Sequence, residues 1–108
     1  MRPGLSGTRA LAGAALLMLG APSGTLAEDA LQLEVLAASC ANCHGTDGNS
    51  SGAIPRIGGR PQAALARQLR AFKAGTVEGI TVMTRIAKGY SDEQLDTLAR
   101  HFAERPRP

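Results

Sequence analysis

The sequence comprises 108 residues, of which 44% are hydrophobic and 19% are charged, with a formal net charge of +3. This length allows one small domain, and the composition excludes a collagen-like or low-complexity chain and disfavours disorder. Two cysteines are too few for a scaffold held by several disulfides. The aromatic residues are Phe72, Tyr90 and Phe102.

The first 27 residues have the pattern of a secretory signal. Arg2 and Arg9 lie in a basic start without acidic residues, the apolar run 10–19 follows, and small residues end the segment at Ala27. The apolar run is shorter than the roughly 20 residues that span a bilayer, so we expect no stable membrane insertion. We therefore predict a cleaved signal peptide over 1–27, export to the periplasm, and a mature domain over 28–108.

Without residues 1–27, the net charge gives little indication of a nucleic-acid partner. Residues 28–108 contain ten basic and nine acidic side chains, which leaves a net charge of +1. A nucleic-acid partner, which the sequence pI of 9.4 suggests, therefore loses its main support and is not expected. A domain of this size with three aromatic residues buries a modest core, so we expect a bound group to complete it.

Three helical stretches separated by glycine-rich loops predict an all-α domain. The first covers about 28–43, and after the loop 45–60 the second begins near Pro61 and ends near Gly75. The apolar residues of the first stretch recur at helical spacing: Leu31, Val35, Leu36 and Ala38.

The segment 76–90 is less regular, with a short helical turn expected over 85–88. The last helix is the best defined, because Ser91 and Gln94 form a capping-box pattern ahead of its apolar stripe. Pro106 ends it. No strand is predicted.

The sharpest motif is Cys40-Ala41-Asn42-Cys43-His44, the pattern of a c-type haem attachment site. Residues at i, i+3 and i+4 share one face of a helix, so both thiols and the imidazole can address one flat ligand. Structural zinc is a poorer alternative, because the chain offers few further ligands and adjacent Cys43 and His44 suit a tetrahedral ion badly. A redox dithiol normally requires a βαβ setting, which is missing.

Met83 is the first candidate for a second axial ligand. It is the one methionine of 28–108, and methionine is a common second haem ligand in electron-carrying cytochromes. A core methionine is the alternative interpretation. His101 is a weaker candidate for the sixth position and is expected to be a solvated or boundary residue, and an open iron site remains a further alternative. A carbonyl of the loop around Pro55 is a candidate partner for the free ring nitrogen of His44.

Together these residues resemble a class I cytochrome c over nearly all of 28–108. Two segments, 69–75 and 82–95, and the Ile54-Pro55 loop are similar to the monohaem cytochrome subunit of flavocytochrome c sulfide dehydrogenase. The resemblance implies a class I cytochrome c fold with one haem c, anchored through Cys40 and Cys43 and ligated by His44 and Met83. It also implies the Pro55 carbonyl as the partner of His44, and a flavoprotein (FAD) subunit that oxidises sulfide.

The expected function is therefore periplasmic one-electron transfer, without a catalytic site of the chain's own. A free soluble shuttle between other redox proteins is the alternative within this class, and a haem-based ligand sensor is the alternative outside it. Arg85 and Lys88 follow Met83 closely and could steer an acidic partner, although a solvated helix face explains them as well.

Overall fold

The computed structural model describes residues 25–108, together with Met1, Pro3, Gly4 and Gly20. The signal peptide predicted over 1–27 therefore lies almost wholly outside the described residues. In chain order the elements are α1 (Thr25–His44), a 3-10 turn (Thr46–Gly48), α2 (Gln62–Ala74), α3 (Val82–Ala87) and α4 (Asp92–Ala103). This part of the chain contains no strand, which confirms the all-α prediction.

Helix α1 carries the cysteine motif in its last turns, but its buried face differs from the apolar pattern of the sequence. Leu31 and Val35 are 67% and 65% exposed. The face that packs on the core consists of Leu33, Leu36, Ala37 and Cys40, so Leu36 of the predicted stripe is confirmed there. This register directs Cys40 and His44 inward together, because they are one turn apart on the same face.

Helix α3 differs from the short turn expected over 85–88. It begins at Val82 and includes Met83 in its first turn. Six residues are too few to show helical periodicity, and the β-branched Val82 and Thr84 lower its intrinsic propensity. Packing supplies what propensity lacks, since Ala87 is 1% exposed.

Helices α2 and α4 form the main packing pair. Helix α4 begins with the expected capping box, in which the Gln94 amide donates to Ser91 Oγ at 3.1 Å and the Ser91 amide donates to Gln94 Oε1 at 2.9 Å. At the surface of the pair, Lys73 Nζ donates to Asp92 at 2.8 Å and thereby holds the pKa of that carboxyl below its usual value.

The centre of the domain is a cluster of buried side chains from α1, α2 and α4: Ala37, Leu65, Leu98, Ala99 and Phe102. Within the described residues, no helix has both the length and the apolar composition to cross a membrane.

Candidate functional site

A cavity of about 240 Å³ lies between the end of α1, the following loop, α2, α3 and α4. Cys40, His44 and Met83 all line it. Most of the remaining wall is apolar and comes largely from the core: Pro55, Ile57, Leu65, Leu69, Phe72, Ile80, Leu98, Ala99 and Phe102. Residues that are 39 positions apart in sequence, His44 and Met83, thus border one apolar space.

The imidazole of His44 has a fixed orientation. It is 9% exposed, and its Nδ1 lies 2.6 Å from the carbonyl oxygen of Pro55. Because a carbonyl oxygen can only accept, Nδ1 carries the proton and donates it to this bond. The other ring nitrogen, Nε2, therefore keeps its lone pair available for a metal ion.

Two glycines allow the loop to return over the end of α1 and present Pro55. Gly48 has a φ of 72°, and its carbonyl accepts from the amides of Ile57 and Gly58 at 2.9 and 3.0 Å. A Cβ at Gly48 would lie 2.8 Å from the Gly58 nitrogen, and one at Gly58 would lie only 2.4 Å from the Asp47 carbonyl oxygen. The two backbone segments therefore cross in contact, which only glycine permits here.

The two cysteines have different surroundings. Cys40 is half-buried and lines the cavity, whereas Cys43 is exposed, and neither is in a disulfide. Burial raises the pKa of the Cys40 thiol, a shift opposed by its hydrogen bond with Ser39 and reinforced by Cys43. Cys40 is therefore a protonated thiol at neutral pH when nothing is attached to it.

Met83 lies in the first turn of α3 and is half-buried. Its side chain forms part of the cavity wall. No cluster of three histidine, cysteine or acidic side chains suited to a metal ion occurs among the described residues.

His101 lies outside this arrangement. It is 6% exposed rather than solvated or at a boundary, which corrects the sequence-based expectation. Its ring packs edge-on against Phe102, and Arg105 Nη2 lies 3.1 Å from its Nδ1. A guanidinium can only donate, so this nitrogen accepts and His101 is neutral. Arg105 and Phe102 thus account for its burial without a metal ion.

The hydroxyl of Tyr90 lies 2.8 Å from Ser39 Oγ of α1. Arg85 and Lys88 are exposed on and just after α3, close in sequence to Met83.

Sequence reasoning missed two polar residues of the cavity wall, Arg60 and Gln68. Arg60 Nη1 donates to Gln68 Oε1 at 3.2 Å. The sequence does signal a cationic segment around Arg60, because residues 51–77 contain five basic residues and no acidic one. Three-dimensional structure is needed to show which of the five reaches the cavity.

The donor set fits a covalently attached haem. A thiol, an imidazole with its Nε2 lone pair available and a thioether border one space, and these are the groups that form the attachment and axial bonds of c-type haem. The apolar wall suits a porphyrin, which needs a dry and largely hydrocarbon environment.

Several curated proteins similar to this chain are cytochromes. The cytochrome subunit of sulfide dehydrogenase from Chlorobaculum tepidum is 48% identical over 69 residues, which cover 64% of this chain and 62% of that protein. Cytochrome c4 from Azotobacter vinelandii is 35% identical over 85 residues, which cover 70% of this chain and 40% of that protein. The chain thus spans less than two thirds of these two relatives. No family model matches it.

A third relative matches almost along its entire length. Cytochrome c-554(548) from Halomonas halodenitrificans is 32% identical over 80 residues, which cover 71% of this chain and 96% of that protein. With its all-α fold, its Cys-x-x-Cys-His motif and these relatives, the chain belongs to the class I cytochromes c, proteins that transfer electrons through covalently bound haem.

Proposed function

We propose that the mature chain carries one haem c and transfers single electrons in the periplasm. In this proposal Cys40 and Cys43 form the thioether bonds, and His44 and Met83 are the two axial ligands. The supporting observation is the cavity, which brings Cys40, His44 and Met83 to the wall of one apolar space. The haem iron supplies the chemistry, a change between the ferric and ferrous states.

The protein's own contribution is to hold and shield this group. The hydrogen bond from His44 Nδ1 to Pro55 fixes the ring at the cavity wall and leaves Nε2 as the nitrogen that would ligate the iron. The side chains of Leu65, Leu98 and Phe102 exclude water from the interior. Ligands that stay in place and a dry surrounding keep the reorganisation that accompanies electron transfer small.

Replacing the proposed methionine ligand tests this assignment. The ferric protein should show the weak far-red absorption band of methionine–iron ligation, and Met83→Ala should abolish it because alanine has no thioether. Val82→Ala is the matched control, since Val82 is the neighbouring residue on α3 and is 65% exposed. Absence of the band from the ferric wild-type protein, with a spectrum that Met83→Ala leaves unchanged, would show that Met83 does not ligate the iron.

We further propose that the partner is a flavoprotein (FAD) subunit that oxidises sulfide and passes its electrons to this haem. Support comes from the 48% identity to a sulfide dehydrogenase cytochrome subunit. A free soluble shuttle is the second candidate, favoured by the match to 96% of the length of a small cytochrome c-554(548). If the partner is a flavoprotein, a tagged chain isolated from the exported fraction should retain bound flavin, and sulfide should reduce its haem. Isolation without flavin, and a haem that sulfide does not reduce, would favour the shuttle.

A further inference from the structure

The wall of the haem cavity has one polar region. Apart from the proposed haem-bonding residues, its polar side chains in the described chain are Arg60 and Gln68, and the rest of the wall is apolar. Arg60 is half-buried and Gln68 is exposed, so the pair lies where the cavity meets solvent. An apolar interior with a cationic edge matches a ligand that is flat and apolar in its body and anionic at one edge.

The backbone on both sides holds Arg60 in place. Gly59, with a φ of 68°, donates its amide to the Phe102 carbonyl at 2.8 Å and so ties this segment to α4. On the other side Pro61 fixes its own φ and leads into α2. Arg60 therefore extends from a constrained backbone toward the cavity rather than from a mobile loop.

Gln68 then restricts the side chain. Its Oε1 accepts from one Nη1–H group of Arg60 at 3.2 Å, which leaves most of the donors of the guanidinium for another acceptor. The three ion pairs formed by side chains of the described residues are Arg70 with Asp96, Lys73 with Asp92, and Arg105 with Asp47. No carboxylate of this part of the chain pairs with Arg60.

We propose that Arg60, oriented by Gln68, binds a propionate carboxylate of the haem. The inference rests on the proposed haem site and deepens it, because haem brings two carboxylates and the guanidinium fork matches a carboxylate in a bidentate manner. Arg60 is then a positioning residue that also sets the charge near the iron. The bound guanidinium offsets the negative charge of the propionate, which otherwise favours the ferric state.

The test is the midpoint potential of the haem protein as a function of pH. Arg60→Gln should lower the potential, because the uncompensated carboxylate stabilises the extra positive charge of ferric iron. It should also shift the pH-dependent part of the profile to higher pH, because loss of the neighbouring cation raises the pKa of a carboxyl group. The carboxylate bands of the redox-difference infrared spectrum should move with it.

Arg67→Gln is the matched control, because it removes the same charge from an exposed position of α2, the helix that follows Arg60. Its pH profile should match that of the wild-type protein. Arg60→Lys keeps the charge but loses the fork, and Gln68→Ala loses only the orienting bond, so each should give a smaller shift in the direction of Arg60→Gln.

If Arg60→Gln fails to retain haem, Arg60→Lys and Gln68→Ala test whether Arg60 binds the propionate. A pH profile and carboxylate bands unchanged from the wild-type protein in every variant that retains haem would overturn the proposal. The methionine–iron band, recorded on the same samples, separates this result from failure of the proposed function. An intact band with an unshifted profile rejects only the role of Arg60.

Discussion

At the scale of single residues, two buried histidines have opposite chemical settings. His44 donates from Nδ1 to a carbonyl oxygen, which leaves Nε2 available to a metal ion. His101 accepts at Nδ1 from Arg105 and packs against Phe102, so its ring is used in packing between α4 and its C-terminal extension. Hydrogen-bond direction, rather than burial, distinguishes the candidate ligand from the structural histidine.

The setting of His101 predicts a pH-dependent stability. Burial, followed by the charge of Arg105, lowers its pKa below the ordinary value of 6.5, although Glu34, Asp47 and Glu104 oppose the shift. The unfolded chain therefore binds a proton that the folded protein rejects. This contribution to the free energy of unfolding is complete above the unfolded pKa and is lost as pH falls from about 6.5 toward the folded pKa.

Urea unfolding of the haem protein at pH 7.5 and at pH 5 measures this effect. His101→Gln cannot titrate, so the difference in free energy of unfolding between the two pH values should be smaller in the variant than in the wild-type protein. The comparison between pH values cancels any uniform loss from the substitution itself. Equal differences in the two proteins would show that His101 titrates normally in the fold.

At the scale of elements, α4 is the helix whose start is most fully specified locally. Ser91→Ala removes the acceptor for the Gln94 amide and should lower the free energy of unfolding by about 1 kcal/mol. Ser51→Ala is the control, because Ser51 lies in an exposed loop, and its effect should stay within about 0.5 kcal/mol. Chemical denaturation of both variants measures the difference. Equal stability of the two would mean that packing alone fixes the helix start.

The helices differ in how far the sequence could predict them. Helices α2 and α4 were predictable because local signals mark their ends: Pro61 and Gly75 for α2, and Ser91 for α4. Helix α3 was not, because its six residues hold no repeat and depend on tertiary contact. In α1 the sequence predicted Leu36 correctly, but Leu31 and Val35 wrongly, since both obey helical spacing while nothing covers them in the described chain.

The candidate site also combines features that local sequence marks with features that depend on tertiary contacts. Cys40, Cys43 and His44 stand out in the sequence because haem attachment needs a fixed local spacing, and Met83 stands out because it is the one methionine of 28–108. Their roles toward haem stay predictions. The pairing of Arg60 with Gln68 does not stand out, because it joins a loop to a helix across Pro61 and follows no periodicity. Local chemistry is readable from sequence, whereas contacts created by a chain reversal are not.

At the scale of the whole molecule, the hydrophobic core and the wall of the cavity share most of their residues. Three of the buried hydrophobic residues in the described chain are alanines. The full set of eight is Ala37, Leu65, Phe72, Ala87, Leu95, Leu98, Ala99 and Phe102. Five of the eight also line the cavity: Leu65, Phe72, Leu98, Ala99 and Phe102. The helices therefore pack around the cavity as much as against one another, which explains how so few aromatic residues suffice.

This arrangement predicts that the fold depends on its cofactor. Chain 28–108, produced without haem, should lose most of the helical circular dichroism of the haem protein and its cooperative thermal transition. Without the porphyrin, the five cavity-lining core residues lose their apolar partner, and a domain of about 80 residues has little other buried surface to offset its conformational entropy. The holoprotein made from the same chain is the control. A haem-free chain that unfolds cooperatively within a few degrees of the holoprotein would show that α2 and α4 form a self-sufficient core, with haem added to a finished fold.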